Sequence, residues 1–170
     1  MLSMKELTLK GIKFEDFTNY KKGAMFLAFP KCSWKCEKDC GIKGICQNSE
    51  LALQQNYTWS IESIIQKYQE SPFTEAVVCG GLEPFDSFNQ LLLFIEEFRK
   101  VSDDDIVIYT GYTEREVYDL IYLSPLLKYK NIIIKFGRYI PNSENKYDEI
   151  LGVTVASQNQ YAKRVTEYEH

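Results

Sequence analysis

Four short runs of continuously apolar residues, each closed by a loop rich in glycine or cysteine, limit how this chain can fold. Residues 23–29 run into Pro30, residues 76–79 into Gly80-Gly81, residues 106–109 into Thr110-Gly111, and residues 132–134 into Lys135-Phe136-Gly137. A strand that is apolar along its whole length is buried on both faces, which is the condition of a parallel sheet. The segments between carry helical spacing. Ile61, Ile64, Ile65 and Tyr68 share one face of a helix predicted over 60–69. Phe88, Leu91, Leu92, Ile95 and Phe98 repeat in a helix expected to start at Ser87, with Gln90 completing a capping box. Thr113 and Glu116 offer a second capping box, followed by the apolar stripe Val117, Leu120 and Ile121. Val153, Thr154 and Val155 suggest one more short strand. The pattern predicts an α/β chain whose mainly parallel sheet is covered by helices, forming one domain over 1–170.

In parallel α/β folds, ligands bind at the carboxyl ends of the strands. The loops after the four runs are therefore expected to gather on one rim. One of them, residues 31–48, carries Cys32, Cys36, Cys40 and Cys46 within fifteen residues. Thiolates this dense can hold a soft metal or an iron–sulfur cluster. Lys31, Lys35, Lys38 and Lys43 surround them and favour the thiolate form. A zinc knuckle closed by all four cysteines is the alternative, but such knuckles usually pair cysteines at two-residue spacing, and neither half here does. The third ligand is open on the residues alone. Cys40 is nearer in spacing, whereas Cys46 follows an apolar Ile45 and precedes Gln47-Asn48.

Composition excludes several classes. The chain has 170 residues and a net charge of −4, against the basic field of a general nucleic-acid binder. No apolar run reaches membrane-spanning length and no signal peptide is evident, so the cytoplasm is expected, where clustered cysteines stay reduced. The single histidine is the last residue, His170, which removes Ser-His-Asp and Cys-His catalysis. Cys79, at the end of an apolar run, reads as a packing residue.

These motifs resemble the radical S-adenosylmethionine proteins, specifically the small activating enzymes of anaerobic ribonucleotide reductase. Cys32-x3-Cys36 and Ile45-Cys46-Gln47-Asn48 resemble the two ends of that family's cysteine motif, although the gap from Cys36 to Cys46 is much longer than the family's. Gly80-Gly81-Leu82-Glu83-Pro84 is similar to the family's Gly-Gly-Glu-Pro segment, with Leu82 interposed. Tyr109-Thr110-Gly111, the segment 135–140, Ser157-Gln158-Asn159-Gln160 and the opening segment 15–20 resemble further family segments.

The resemblance implies an open partial β/α barrel of mainly parallel strands with outer helices. It implies a 4Fe–4S cluster on Cys32, Cys36 and Cys46, with Cys40 the competing third ligand. S-adenosylmethionine would be met by Gly80, Gly81, Glu83, Pro84, Tyr109, Thr110, Gly111, Ile45 and Asn48. The implied activity is reductive cleavage of S-adenosylmethionine to form a glycyl radical on a large anaerobic ribonucleotide reductase subunit. A flavodoxin-like or ferredoxin-like protein would donate the electron. Activation of another glycyl-radical enzyme, modification of a peptide, or a non-catalytic zinc-binding role are the alternatives.

Overall fold

In a computed structural model of the protein, residues 4–33, 38, 41 and 49–168 are described, with residues 167 and 168 described without their side chains. The chain begins with β1 (Glu6–Leu9), β2 (Gly11–Asp16) and β3 (Ala24–Phe29). Next come α1 (Ser49–Ala52), β4 (Tyr57–Ser60), α2 (Ile61–Glu70) and β5 (Ala76–Gly81). A 3-10 turn (Pro84–Ser87) leads into α3 (Phe88–Arg99), followed by β6 (Asp105–Tyr109), α4 (Glu114–Asp119), α5 (Leu123–Leu126) and β7 (Ile132–Phe136). The hairpin β8 (Lys146–Asp148) and β9 (Val153–Val155), then β10 (Tyr161–Arg164) and a terminal 3-10 turn (Val165–Tyr168), complete the order.

The central sheet has six strands in the order β10-β7-β6-β5-β3-β2. Its four inner strands are parallel, and they are the four apolar runs of the sequence. The edges, β2 and β10, run antiparallel to their neighbours. This is a mixed α/β fold with a largely parallel sheet, as expected.

The two faces of the sheet are covered differently. Met25, Leu27, Val77, Cys79, Ile106, Ile108, Ile132 and Ile134 pack with Ile61, Ile64, Leu91, Phe94, Ile95, Phe98 and Val117 from the helices, together with Leu7 and Leu9 of β1. On the opposite face the side chains are smaller, Ala24, Ala76, Val78 and Val107, and they meet Tyr20, Leu151 and Val155 instead of a helix. Toward the carboxyl ends of the strands this face carries Phe26, Gly80, Tyr109 and Lys135.

Several local expectations need correction. Ser87 makes no side-chain cap to α3, because it closes the preceding 3-10 turn. Gln90 instead accepts the Thr8 amide at 3.1 Å, tying α3 to β1. The box of Thr113 and Glu116 is formed, but α4 ends at Asp119. Leu120 and Ile121 therefore leave the apolar stripe, and Ile121 is 70% exposed. β5 continues two residues beyond the apolar run, through Gly80 and Gly81, because β3 supplies partners as far as Phe29. β1, β2, β4 and β10 mix polar and apolar residues, and their pairing is set by partners distant in sequence, such as β1 with β4.

Candidate functional site

The predicted convergence on one rim is present. A cleft of about 300 Å³ opens at the carboxyl ends of β3, β5, β6 and β7. Cys32, Gly80, Gly81, Glu83, Tyr109, Thr110 and Gly111 all line it. Its volume falls at the lower end of the range for small-molecule sites. Cys36, Cys40, Ile45, Cys46 and Asn48 lie outside the described residues.

Cys32 reaches the cleft because main-chain pairing continues past the strand ends. Leu82 N donates to Phe29 O at 3.3 Å, and Glu83 N donates to Lys31 O at 2.6 Å. The start of the cysteine loop is thereby held against the glycine turn. Gly81 has φ +81°, and a Cβ there would stand 2.8 Å from Ala28 Cα, so the turn admits no side chain. A Cβ on Gly80 would meet the Phe26 ring at 3.0 Å, on the cleft wall. Both glycines are required by close packing, Gly81 on Ala28 and Gly80 on the Phe26 ring.

Glu83 is almost fully buried and has two structural roles. One oxygen accepts Phe85 N at 3.1 Å and caps the 3-10 turn, with Pro84 in the first position. The other accepts the Thr110 hydroxyl at 2.7 Å and Gly111 N at 2.8 Å. Burial pushes the Glu83 carboxyl up to about 7, against these three hydrogen bonds, which favour the ionised form. Glu83 thus fastens the loop after β5 to the loop after β6. Pro84 is buried in the turn and does not line the cleft.

Thr110 is 1% exposed, and its hydroxyl oxygen also accepts Tyr112 N at 3.0 Å. The Tyr109 hydroxyl donates to Asn19 O, fastening the segment after β2 to the end of β6. Burial is the first cause that raises the Tyr109 phenol far above its ordinary value. Cys79 is fully buried on the helix side, where burial pushes its thiol up, so it is the packing residue expected.

The cleft also contains residues whose place the sequence pattern alone did not assign. Lys135 is 7% exposed at the end of β7, with Nζ 5.4 Å from the centroid of the Tyr109 ring and 3.4 Å from Gly137 O. A lysine inside an otherwise apolar run was the available signal. Val153, Thr154, Val155 and Ala156 form a further wall. Ser157 and Gln160 are buried and fasten loops. The Ser157 hydroxyl oxygen accepts Ile140 N at 2.8 Å, and Gln160 donates to Gly137 O at 3.1 Å. Gln160 lines the cleft as well.

A thiol-bearing loop that opens onto a half-polar cleft at the ends of parallel strands is a place to hold a cofactor, and the cysteine chemistry points to iron and sulfur. Residues 22–162 match the family model of the 4Fe-4S single cluster domain, and the chain belongs to that family. No curated protein and no solved structure matches it. Membership supports iron–sulfur binding, and so favours a cluster over a zinc knuckle. Among the described residues, no helix is long and apolar enough to cross a membrane.

Proposed function

We propose that the protein is a radical S-adenosylmethionine activase that generates a glycyl radical on an anaerobic ribonucleotide reductase. The observation that carries this reading is the meeting of Cys32, the Gly80-Gly81 turn and the Thr110-Gly111 loop around one cleft. The thiolate donors of the cysteine loop suit a 4Fe–4S cluster in kind, and Cys32, Cys36 and Cys46 would hold it. When bound, such a cluster would supply one-electron reduction of S-adenosylmethionine, using an electron taken from an external donor, and hydrogen-atom abstraction from a glycine of the partner would follow from that chemistry.

The chain's own residues bind and orient. Gly80 and Gly81 let the backbone approach the methionine end of the ligand. Glu83, committed to Thr110, Gly111 and Phe85, fixes the turn rather than spending both oxygens on a ligand. Lys135 adds a buried cation suited to a carboxylate. Phe26 and Tyr109 offer aromatic surface for the rest of the molecule. A flavodoxin-like or ferredoxin-like protein is the proposed electron donor.

Anaerobic reconstitution with iron and sulfide, followed by dithionite and S-adenosylmethionine, tests this. The expected products are 5′-deoxyadenosine and methionine. A reconstituted cluster that leaves S-adenosylmethionine intact would overturn the activase reading, and a protein that takes up zinc but no iron would overturn the cluster as well.

A further inference from the structure

The cysteine loop must leave β3 in a fixed direction if Cys32 is to stay at the edge of the cleft, and one carboxylate outside the cleft is placed to set that direction. Asp86 sits in the 3-10 turn (Pro84–Ser87), immediately after the glycine turn. Its Oδ2 accepts the amide of Ser33, the residue next to Cys32, at 2.6 Å. Its Oδ1 accepts the Tyr112 hydroxyl. Tyr112 is itself fixed. It is 5% exposed, its ring meets Phe85 edge-on at 6.3 Å, its amide donates to Thr110, and its carbonyl accepts Gly137 N at 3.0 Å. The Ser33 side chain also hydrogen-bonds to Tyr112. A carboxylate whose second oxygen is held by a buried phenol cannot turn away without breaking a charge-assisted bond.

We propose that Asp86, oriented by Tyr112, is a positioning residue that holds Ser33 and so fixes Cys32 at the edge of the cleft. The proposal rests on reading Cys32 as a cluster ligand, and it assigns Asp86 no contact with cluster or substrate. Groups beyond a metal's direct ligands commonly orient them in this way. The chain of contacts from Glu83 through Thr110 and Tyr112 to Asp86 also joins the floor of the cleft to the start of the cysteine loop.

The test compares Asp86→Ala, Asp86→Asn and Tyr112→Phe with the unaltered chain. In the metal-free protein, trypsin cleavage after Lys31 reads how firmly the loop start is held. Asp86→Ala is expected to speed it roughly tenfold or more, the equivalent of losing a hydrogen bond to a charged group. Asp86→Asn can still accept from Ser33 and instead donate to the Tyr112 oxygen, so it is expected to stay close to the unaltered rate. In protein reconstituted without oxygen, the reduced cluster of Asp86→Ala is expected to give more than one electron paramagnetic resonance species, and that of Asp86→Asn a single one. If Asp86→Ala does not fold, Tyr112→Phe takes its place, with an expected acceleration of cleavage of about threefold. An unchanged cleavage rate together with an unchanged single signal overturns the proposal. If the unaltered protein takes up no cluster, the reading of Cys32 as a ligand fails, while the cleavage rates still decide whether Asp86 holds the loop.

Discussion

The Glu83 carboxylate and the Thr110 hydroxyl, 27 residues apart in sequence, meet at 2.7 Å in the buried floor of the cleft. The bond joins the loops after β5 and β6, so the shape of the cleft depends on a carboxylate that burial shifts to about 7. A carboxyl raised above its ordinary 4.5 stabilises the fold fully below that value and loses this contribution as the pH rises through about 7. Urea unfolding at pH 5 and pH 8 is expected to show a loss of up to ~3 kcal/mol from this group. Glu83→Gln is expected to flatten that part of the profile. Glu83→Ala is expected to cost about 3 kcal/mol at pH 5, because Thr110 and two amides lose their acceptor.

Asp105 carries the opposite sign. Burial alone would raise its carboxyl, but hydrogen bonds from the Tyr20 hydroxyl at 2.8 Å and Lys22 at 3.0 Å, with Arg164 near by, hold it below its ordinary value. Asp16 is lowered in the same way, against burial, by Asn19, Thr18 and Lys13. Their contribution is present above the ordinary 3.8 and lost as the pH falls through the lower folded values. Acid unfolding followed by circular dichroism is expected to shift in midpoint for Asp105→Asn.

Gly81→Ala is expected to destabilise the protein by about 2 kcal/mol or more. The substitution places a methyl 2.8 Å from Ala28 Cα and forces alanine to φ +81°. Denaturant unfolding measures the loss.

Ile121→Gly is expected to stabilise the protein by about 1 kcal/mol. Ile121 closes α4 at φ +62° and is 70% exposed, so a β-branched residue bears left-handed strain without burial in return. Tyr122 N donates to Val117 O at 3.2 Å and Ile121 N donates to Tyr118 O at 3.1 Å, the helix ending that ordinarily takes glycine. Differential scanning calorimetry reads the gain as a higher Tm.

Single alanine replacements in the cysteine loop separate the ligands. Cys32→Ala, Cys36→Ala and Cys46→Ala are expected to lose most of the iron and sulfide after anaerobic reconstitution, and Cys40→Ala to retain it. Iron and sulfide per chain decide the outcome, and a Cys40→Ala variant without a cluster would exchange the roles of Cys40 and Cys46.

The parallel strands were legible because burial on both faces leaves a mark in every residue of the run. The capping box at Thr113 was legible because both partners lie within one turn of helix. Ser87 and Gln90 carry the same local pattern, yet a 3-10 turn claims the first and β1 the second. Glu83 was legible as a cleft carboxylate, but not as a fastener, since its partner Thr110 lies in the loop after a different strand.

The sequence by itself determined the α/β class, the four inner strands and the soft-donor character of the loop at residues 31–48, because apolar continuity and thiol density are local properties. Only the tertiary structure decided which oxygens face the cleft and which are consumed in joining loops. It also decided that Lys135 reaches the site, and that Asp86 and Tyr112 hold the start of the cysteine loop. Those outcomes depend on contacts between residues far apart in the chain. Hydrogen-bond partners and burial on each face of a sheet are fixed only when the strands come together.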